Sequence, residues 1–245
     1  MISKEELNAF ANSLVRKDLR LPSLPKDSGF PWYTSDLDSS LASYLNEKKR
    51  LLLPSFHLTK TISVFSDYGG EHPQSSYETY SFLFSEYDSF QMFSQEMRNI
   101  RSKHGLSDPY KEIEFKDLHY GPIKRALPDI LNAANHLING LMYTLIIDKR
   151  IGTIFGPDTP EMHSFIQQTF KEANIDFWKP KVREKNLRIL HSIAYFLRLL
   201  SFKGQKLFWM TDHDAIVANP SQLKTTSLIL KSIIDQYRAP LKTAV

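Results

Sequence analysis

Acidic side chains lie at or near the ends of several short apolar segments of the chain. They are Asp67, Glu112, Glu114, Asp148, Asp212 and Asp214. A carboxylate at the end of a strand that packs on a core is costly unless something offsets its charge. The usual offset for a carboxylate cluster is a hard divalent cation such as Mg²⁺. The pattern therefore predicts a metal site that supports phosphoryl chemistry.

The spacing of these acids favours convergence on one site. Glu112 and Glu114 are two residues apart, so both side chains leave the same face of a strand. Asp212 and Asp214 have the same spacing. Two Mg²⁺ ions about 3.5–4 Å apart can activate a water and stabilise the leaving oxygen of a phosphodiester. His213, between the two aspartates, is the candidate for moving a proton or contacting the scissile phosphate.

Each carboxylate also has a purely structural interpretation. Asp67 precedes a pair of glycines and could form a turn. Asp148 precedes a lysine and an arginine and could form a surface ion pair. Glu112 and Glu114 could face solvent, and the two aspartates after the last strand could cap the next segment. The sequence leaves these alternatives open.

The elements that must position these residues follow from hydrophobic periodicity and from turn residues. Strands are predicted at 61–66, 77–85, 112–118, 142–148 and 206–211. Helices are predicted at 2–19, 36–49, 90–104, 122–141, 160–173, 183–202 and 221–237. The first two strands suggest an antiparallel hairpin, and helices between the later strands imply parallel crossovers. We therefore predict an α/β domain at 58–245, a mixed sheet flanked by helices, after an N-terminal helical extension at 1–57.

Composition narrows the class of protein and its partners. The chain has 245 residues, 42% of them hydrophobic, and no cysteine, which excludes disulfides and thiolate metal sites. No signal peptide or membrane span is recognisable, so a cytoplasmic protein without a membrane partner is expected. Residues 61–97 carry six acids and no Lys or Arg, whereas residues 179–206 carry eight Lys or Arg and one acid. The basic stretch is either a phosphate-binding surface or the solvated face of a helix.

Three segments of the chain carry a resemblance to a known family. They read Asp67-Tyr-Gly-Gly after the first strand, Glu112-Ile-Glu-Phe-Lys-Asp-Leu118, and Asp212-His-Asp214. Together they resemble the family of unknown function 3800, whose members look like ribonuclease H-like proteins. The family pattern has a second acid after the first aspartate and a lysine after Glu-Leu. This chain has Tyr68 and Glu114 at those positions.

The resemblance implies a ribonuclease H-like fold and a nuclease-type two-metal centre. Its ligands would be Asp67, Glu112 and one or both of Asp212 and Asp214, with Mg²⁺ or Mn²⁺ as the cofactor. Many members of that family occur among bacterial defence and mobile-element genes. The expected function is therefore metal-dependent cleavage of DNA or RNA, and the sequence does not choose between these substrates.

Two other functions are compatible with the same residues. The departures at Tyr68 and Glu114 favour a catalytically inactive module that binds nucleic acid or protein. Alternatively, the N-terminal extension at 1–57 recruits a protein partner.

Overall fold

The computed structural model describes residues 30–46, 53–106, 108, 112–173, 175, 178–212 and 217–238. Its strands are β1 (Thr61–Gly69), β2 (Tyr77–Glu86), β3 (Gly140–Asp148) and β4 (Lys206–Thr211). Its helices are α1 (Trp32–Asn46), α2 (Phe90–Lys103), α3 (Gly121–Leu137), α4 (Pro160–Glu172), α5 (Pro180–Leu200) and α6 (Pro220–Arg238). Short 3₁₀ helices cover Tyr87–Ser89 and Phe115–His119. The predicted helix at 2–19 lies outside the described residues.

The four strands form one mixed sheet in the order β3-β2-β1-β4. β2 pairs antiparallel with both β1 and β3, and β4 pairs parallel with β1. The predicted α/β class with a mixed sheet is therefore confirmed. β1 ends in a turn at Gly70, whose positive φ of 80° is a conformation that favours glycine.

The predicted strand at 112–118 is wrong. This segment ends in the 3₁₀ helix Phe115–His119, and β2 has both of its neighbours in β1 and β3. The apolar residues Ile113 and Leu118 pack instead in a small cluster between α2 and α3. The parallel crossover predicted after the second strand is also wrong. The next strand of the structure is β3, and it pairs antiparallel with β2.

One face of the sheet is covered by α5. Alternate residues of β1 and β2, such as Val64 and Phe84, share a buried core with Ile193 of α5. The Phe196 ring lies 5.5 Å from that of Phe84 and 4.5 Å from that of Tyr143 on β3. Nearly all of α5 is buried, as its apolar circumference predicts. The opposite face of the sheet carries exposed apolar side chains.

The core also includes residues that precede the first strand. Tyr33 of α1 and Phe56 are buried in the same cluster as the sheet. Asp38 of α1 accepts hydrogen bonds from the Tyr195 hydroxyl (2.6 Å) and the Arg198 guanidinium (2.8 Å) of α5. This part of the predicted N-terminal extension is thus packed on the central helix. None of the described helices is long and apolar enough to cross a membrane.

Candidate functional site

Asp67 and Asp212 occupy neighbouring positions at one edge of the sheet. The parallel ladder between β1 and β4 ends at the pair Ser66–Thr211, and each aspartate is the next residue of its chain. Neighbouring strands lie about 4.8 Å apart. Both aspartates are exposed to solvent. The structure therefore brings these two predicted site residues together.

Glu112 lies elsewhere. It lines a small cavity between α2 and α3 with Arg101, Leu106 and Ile123, away from the ends of β1 and β4. Glu114 forms a surface ion pair with the Lys116 ammonium at 2.7 Å. Because the predicted strand is absent, neither glutamate is delivered to the sheet edge that holds the aspartates.

Among the described residues, no group of three or more acidic or histidine side chains is close enough together to hold a metal ion. His213 and Asp214 lie outside the described residues, so their part in a site stays a prediction. Of the predicted ligands, Asp67 and Asp212 are the two that the described residues bring to this edge of the sheet.

Asp148 forms a surface ion pair with Arg150. The guanidinium donates to both carboxylate oxygens, from Nε to Oδ1 (3.0 Å) and Oδ2 (3.1 Å) and from Nη2 to Oδ2 (2.6 Å). These bonds, together with the one from the Arg150 backbone N–H, lower the pKa of the Asp148 carboxyl to about 2. This contact matches the structural interpretation of Asp148 that the sequence left open.

Tyr68 stands where the family that the sequence resembles has a second acid, and its hydroxyl makes structural contacts instead. Its hydroxyl lies 2.8 Å from Ser66 Oγ and 2.7 Å from Thr211 Oγ1. Trp209 Nε1 donates a hydrogen bond to the same Ser66 hydroxyl at 2.9 Å. Tyr68 therefore fastens the ends of β1 and β4 together beside the two aspartates.

An ionic network that the sequence did not reveal lies on the covered face of the sheet. Arg188 of α5 is buried, and its Nη1 donates to Glu78 Oε2 of β2 at 3.1 Å. Its Nε donates to Glu184 Oε1 at 3.2 Å and its Nη2 to the Ile151 carbonyl at 2.7 Å. Glu184 Oε1 also accepts the backbone N–H of Ile154 at 2.9 Å. One guanidinium thus joins β2, α5 and the segment after β3.

The pKa values of the two carboxylates in this network are shifted in opposite directions. Burial alone would raise the pKa of the Glu78 carboxyl, but the Tyr80 hydroxyl and the charges of Arg188 and Lys181 together outweigh burial and lower it. The Tyr80 hydroxyl donates to Glu78 Oε2 at 2.6 Å. For Glu184, burial dominates the charge of Arg188 and raises the pKa of its carboxyl.

Two sequence signals could have revealed this network. Glu78 is spaced by two from Tyr80, and the same face of β2 continues through Phe82 and Phe84, so its carboxylate faces the core. Glu184 and Arg188 are four residues apart in a helix with little polar surface. A charged pair at such positions has to be satisfied internally.

The network forms one wall of a cleft between α4 and the start of α5. The cleft has a volume of about 500 Å³, within the range typical of ligand sites. Five cationic side chains line it, together with the carboxylates of Glu78 and Glu184. The cationic residues are Lys149, Lys181, Arg183, Lys185 and Arg188. Part of the basic stretch at 179–206 therefore lines this cleft.

Comparisons of this chain with protein-family models, with curated proteins and with solved structures found no match. The functional argument therefore depends on the residues and their geometry.

Proposed function

We propose that the protein is a metal-dependent nuclease that acts at the sheet edge where Asp67 and Asp212 are neighbours. The parallel pairing of β1 with β4 is the observation that carries this proposal. Mg²⁺ is commonly bound through one or two carboxylates, with substrate phosphates and waters as the remaining ligands. Two neighbouring aspartates therefore provide a sufficient protein contribution. We also propose that the mixed sheet is of the ribonuclease H-like type.

The residues of this chain have separate parts in such a reaction. Asp67 and Asp212 would hold Mg²⁺ or Mn²⁺, which supplies a polarised phosphate and an activated water when bound. Tyr68 holds β1 and β4 in register, so that the spacing of the two aspartates is fixed. Asp214 and His213 follow directly in the chain and are the candidates for a third ligand and a proton carrier.

A cleavage assay with matched variants tests the proposal. Purified protein is incubated with DNA, RNA and DNA–RNA hybrid in Mg²⁺, in Mn²⁺ and in a chelator. We expect Asp67→Asn and Asp212→Asn each to lower cleavage by about 100-fold or more, since each removes a metal ligand. Glu112→Gln is the control, and we expect it to retain activity because Glu112 lies between α2 and α3. Cleavage that survives both aspartate substitutions would come from a contaminant and refute the proposal.

A second candidate is a binding module that retains the fold without the chemistry. It is favoured by Tyr68 at the position of the second acid and by the absence of a three-residue metal group among the described residues. This candidate predicts nucleic-acid binding that weakens steeply with salt, and no turnover with any metal. Cleavage that depends on Asp67 would exclude it.

The recruitment of a protein partner through the N-terminal extension stays a prediction. The contacts of α1 with α5 mean that a test deletion should end at residue 29, which leaves Tyr33 and Asp38 in place. Loss of a captured partner with an unchanged unfolding midpoint would support recruitment. Retention of the partner would argue against it.

A further inference from the structure

The first turn of α5 faces the cleft with backbone groups that no side chain caps. The helix begins at Pro180, and Lys179 at its N-cap makes no side-chain capping bond. Proline has no N–H of its own, but the next N–H groups of the turn point along the axis without an intrahelical acceptor. The positive end of the helix dipole lies at the same place. A helix end of this kind attracts an anion but does not by itself make a site.

Arg183 supplies an independent observation. Its side chain lines the cleft, and the residue is only 6% exposed. Its Nε is buried and has no hydrogen-bond partner in the described part of the chain. The guanidinium lies over the Phe170 ring, 5.7 Å from the ring centre, so its plane is held by an apolar surface. A buried donor that no acceptor satisfies is costly, and the unfilled Nε of Arg183 indicates that a ligand provides the acceptor.

The other charges of the cleft leave this positive charge in excess. Glu78 and Glu184 are both engaged by Arg188, and the Lys181 ammonium lies 3.6 Å from Glu78 Oε1. Lys149 donates a hydrogen bond to the His72 carbonyl, an uncharged acceptor, at 2.6 Å. Lys185 is paired with Glu71. The carboxylates of Glu78 and Glu184 are thus engaged within the network, and Arg183 adds a further positive charge to the lining of the cleft.

We propose that this cleft binds a phosphate group, carried either by a nucleotide or by the end of a nucleic-acid strand. A phosphate monoester offers three strong acceptor oxygens to the fork of Arg183 and to the start of α5. The volume of about 500 Å³ leaves room for a sugar or base beside the phosphate. Neither Asp67 nor Asp212 lines this cleft, and phosphate binding there does not depend on the proposed cleavage chemistry.

The test measures binding of four probes by calorimetry in a chelator. They are inorganic phosphate, a nucleoside monophosphate, and one short oligonucleotide with and without a 5′-phosphate. We expect Arg183→Met to weaken binding of phosphorylated probes by about tenfold or more, since it removes a charged hydrogen-bond donor. Lys181→Met, an exposed substitution, should weaken it by a smaller factor. The matched control is Arg98→Met on α2, which removes the same charge outside the cleft and should have no effect.

The remaining outcomes separate the sources of phosphate and the possible failures. A preference for the 5′-phosphorylated oligonucleotide over its unphosphorylated form assigns the site to strand ends, and equal binding of the mononucleotide assigns it to nucleotides. Absence of binding by every probe, or equal weakening in Arg98→Met, overturns the proposal. A change in unfolding midpoint in Arg183→Met without a change in affinity would reduce Arg183 to a packing residue and also overturn it. Asp67→Asn should bind phosphate normally, so failure of the nuclease proposal is visible separately.

Discussion

On the face of the sheet that α5 covers, charged groups are buried and paired, whereas on the opposite face Asp67 is exposed near the end of β1. Glu78 and Arg188 belong to the covered face and satisfy each other inside the protein. The open face carries exposed apolar residues such as Met142 and Ile146 beside its polar ones. The same two-residue alternation along each strand thus produces two different chemical surfaces.

This difference separates charges that maintain the fold from charges that can act on a ligand. A buried charge has to be matched within the protein, so removing its partner is expensive. An exposed carboxylate at a strand end is satisfied by water and can exchange that water for a metal or a phosphate-bound cation. Substitutions of buried charges on the covered face should therefore mainly lower stability, whereas substitutions of the exposed aspartates should mainly lower activity.

The largest effect is expected from Arg188→Met. It leaves Glu78 and Glu184 buried without their shared partner, and breaking a buried pair costs about 3–5 kcal/mol. Urea unfolding followed by circular dichroism measures the change in the free energy of unfolding. Changing both glutamates to glutamine in the same variant should recover part of the loss. An Arg188→Met protein as stable as the parent would contradict the assignment of this network to the fold.

A smaller effect is expected from the pH dependence of His191. Burial lowers the pKa of this imidazole to about 3, so the folded protein keeps it neutral. The unfolded chain takes up a proton near its ordinary pKa, so stability falls as the pH falls below that value. Between about pH 7.5 and about pH 5.5 the loss is on the order of 1 kcal/mol.

Urea unfolding at the two pH values should therefore show a steeper loss for the parent protein than for His191→Asn. The exposed His136 provides the control for the substitution itself, since His136→Asn exchanges the same two side chains on the surface of α3. Identical pH dependence in the parent and His191→Asn would show that this imidazole does not titrate on unfolding.

Tyr68→Phe should cost about 1 kcal/mol, because it removes the hydroxyl that joins Ser66 to Thr211. The matched control is Tyr77→Phe on β2, whose ring is 52% exposed. Cleavage should decline in Tyr68→Phe only as far as the spacing of Asp67 and Asp212 loosens. Complete loss of cleavage with full stability would give Tyr68 a direct part in the chemistry.

The smallest effect is expected from Arg150→Met. Its pair with Asp148 is exposed to solvent, and surface pairs contribute little to stability. The unfolding midpoint should not change measurably at neutral pH, and cleavage should be unaffected. A clear loss of cleavage would instead indicate that Asp148 takes part in the proposed cleavage reaction.

The sequence predicted much of the fold because its signals were local. The β4 strand was predicted with the bounds that the structure shows, and the long buried helix was placed within three residues of both ends of α5. Alternation of apolar residues and turn glycines records such elements directly. The sequence predicted the first strand to end before Asp67, whereas β1 continues to Gly69 and Asp67 pairs with Ser81 of β2.

The remaining features depend on contacts that no local pattern records. The segment from Glu112 to Leu118 has strand composition, but β1 and β3 occupy both edges of β2, so it folds against α2 and α3 instead. In the sequence, Glu78 is one acid among several in an acidic stretch, and only the tertiary packing brings Arg188 to it. In the sequence, Arg183 fits the solvated face of a helix. The structure shows instead that it is buried beside Phe170 of α4.

The bond between Glu78 and Arg188 spans 110 residues of chain. Contacts of such separation form only after a long loop has closed, which slows folding and places them late in assembly. The cleft therefore exists only in a chain whose sheet, central helix and connecting segment have all come together. A phosphate ligand that occupies it would bind the native state alone and raise the free energy of unfolding with the logarithm of its concentration, once that concentration exceeds Kd. Phosphate binding to the cleft would then measure the fraction of the protein that is fully folded.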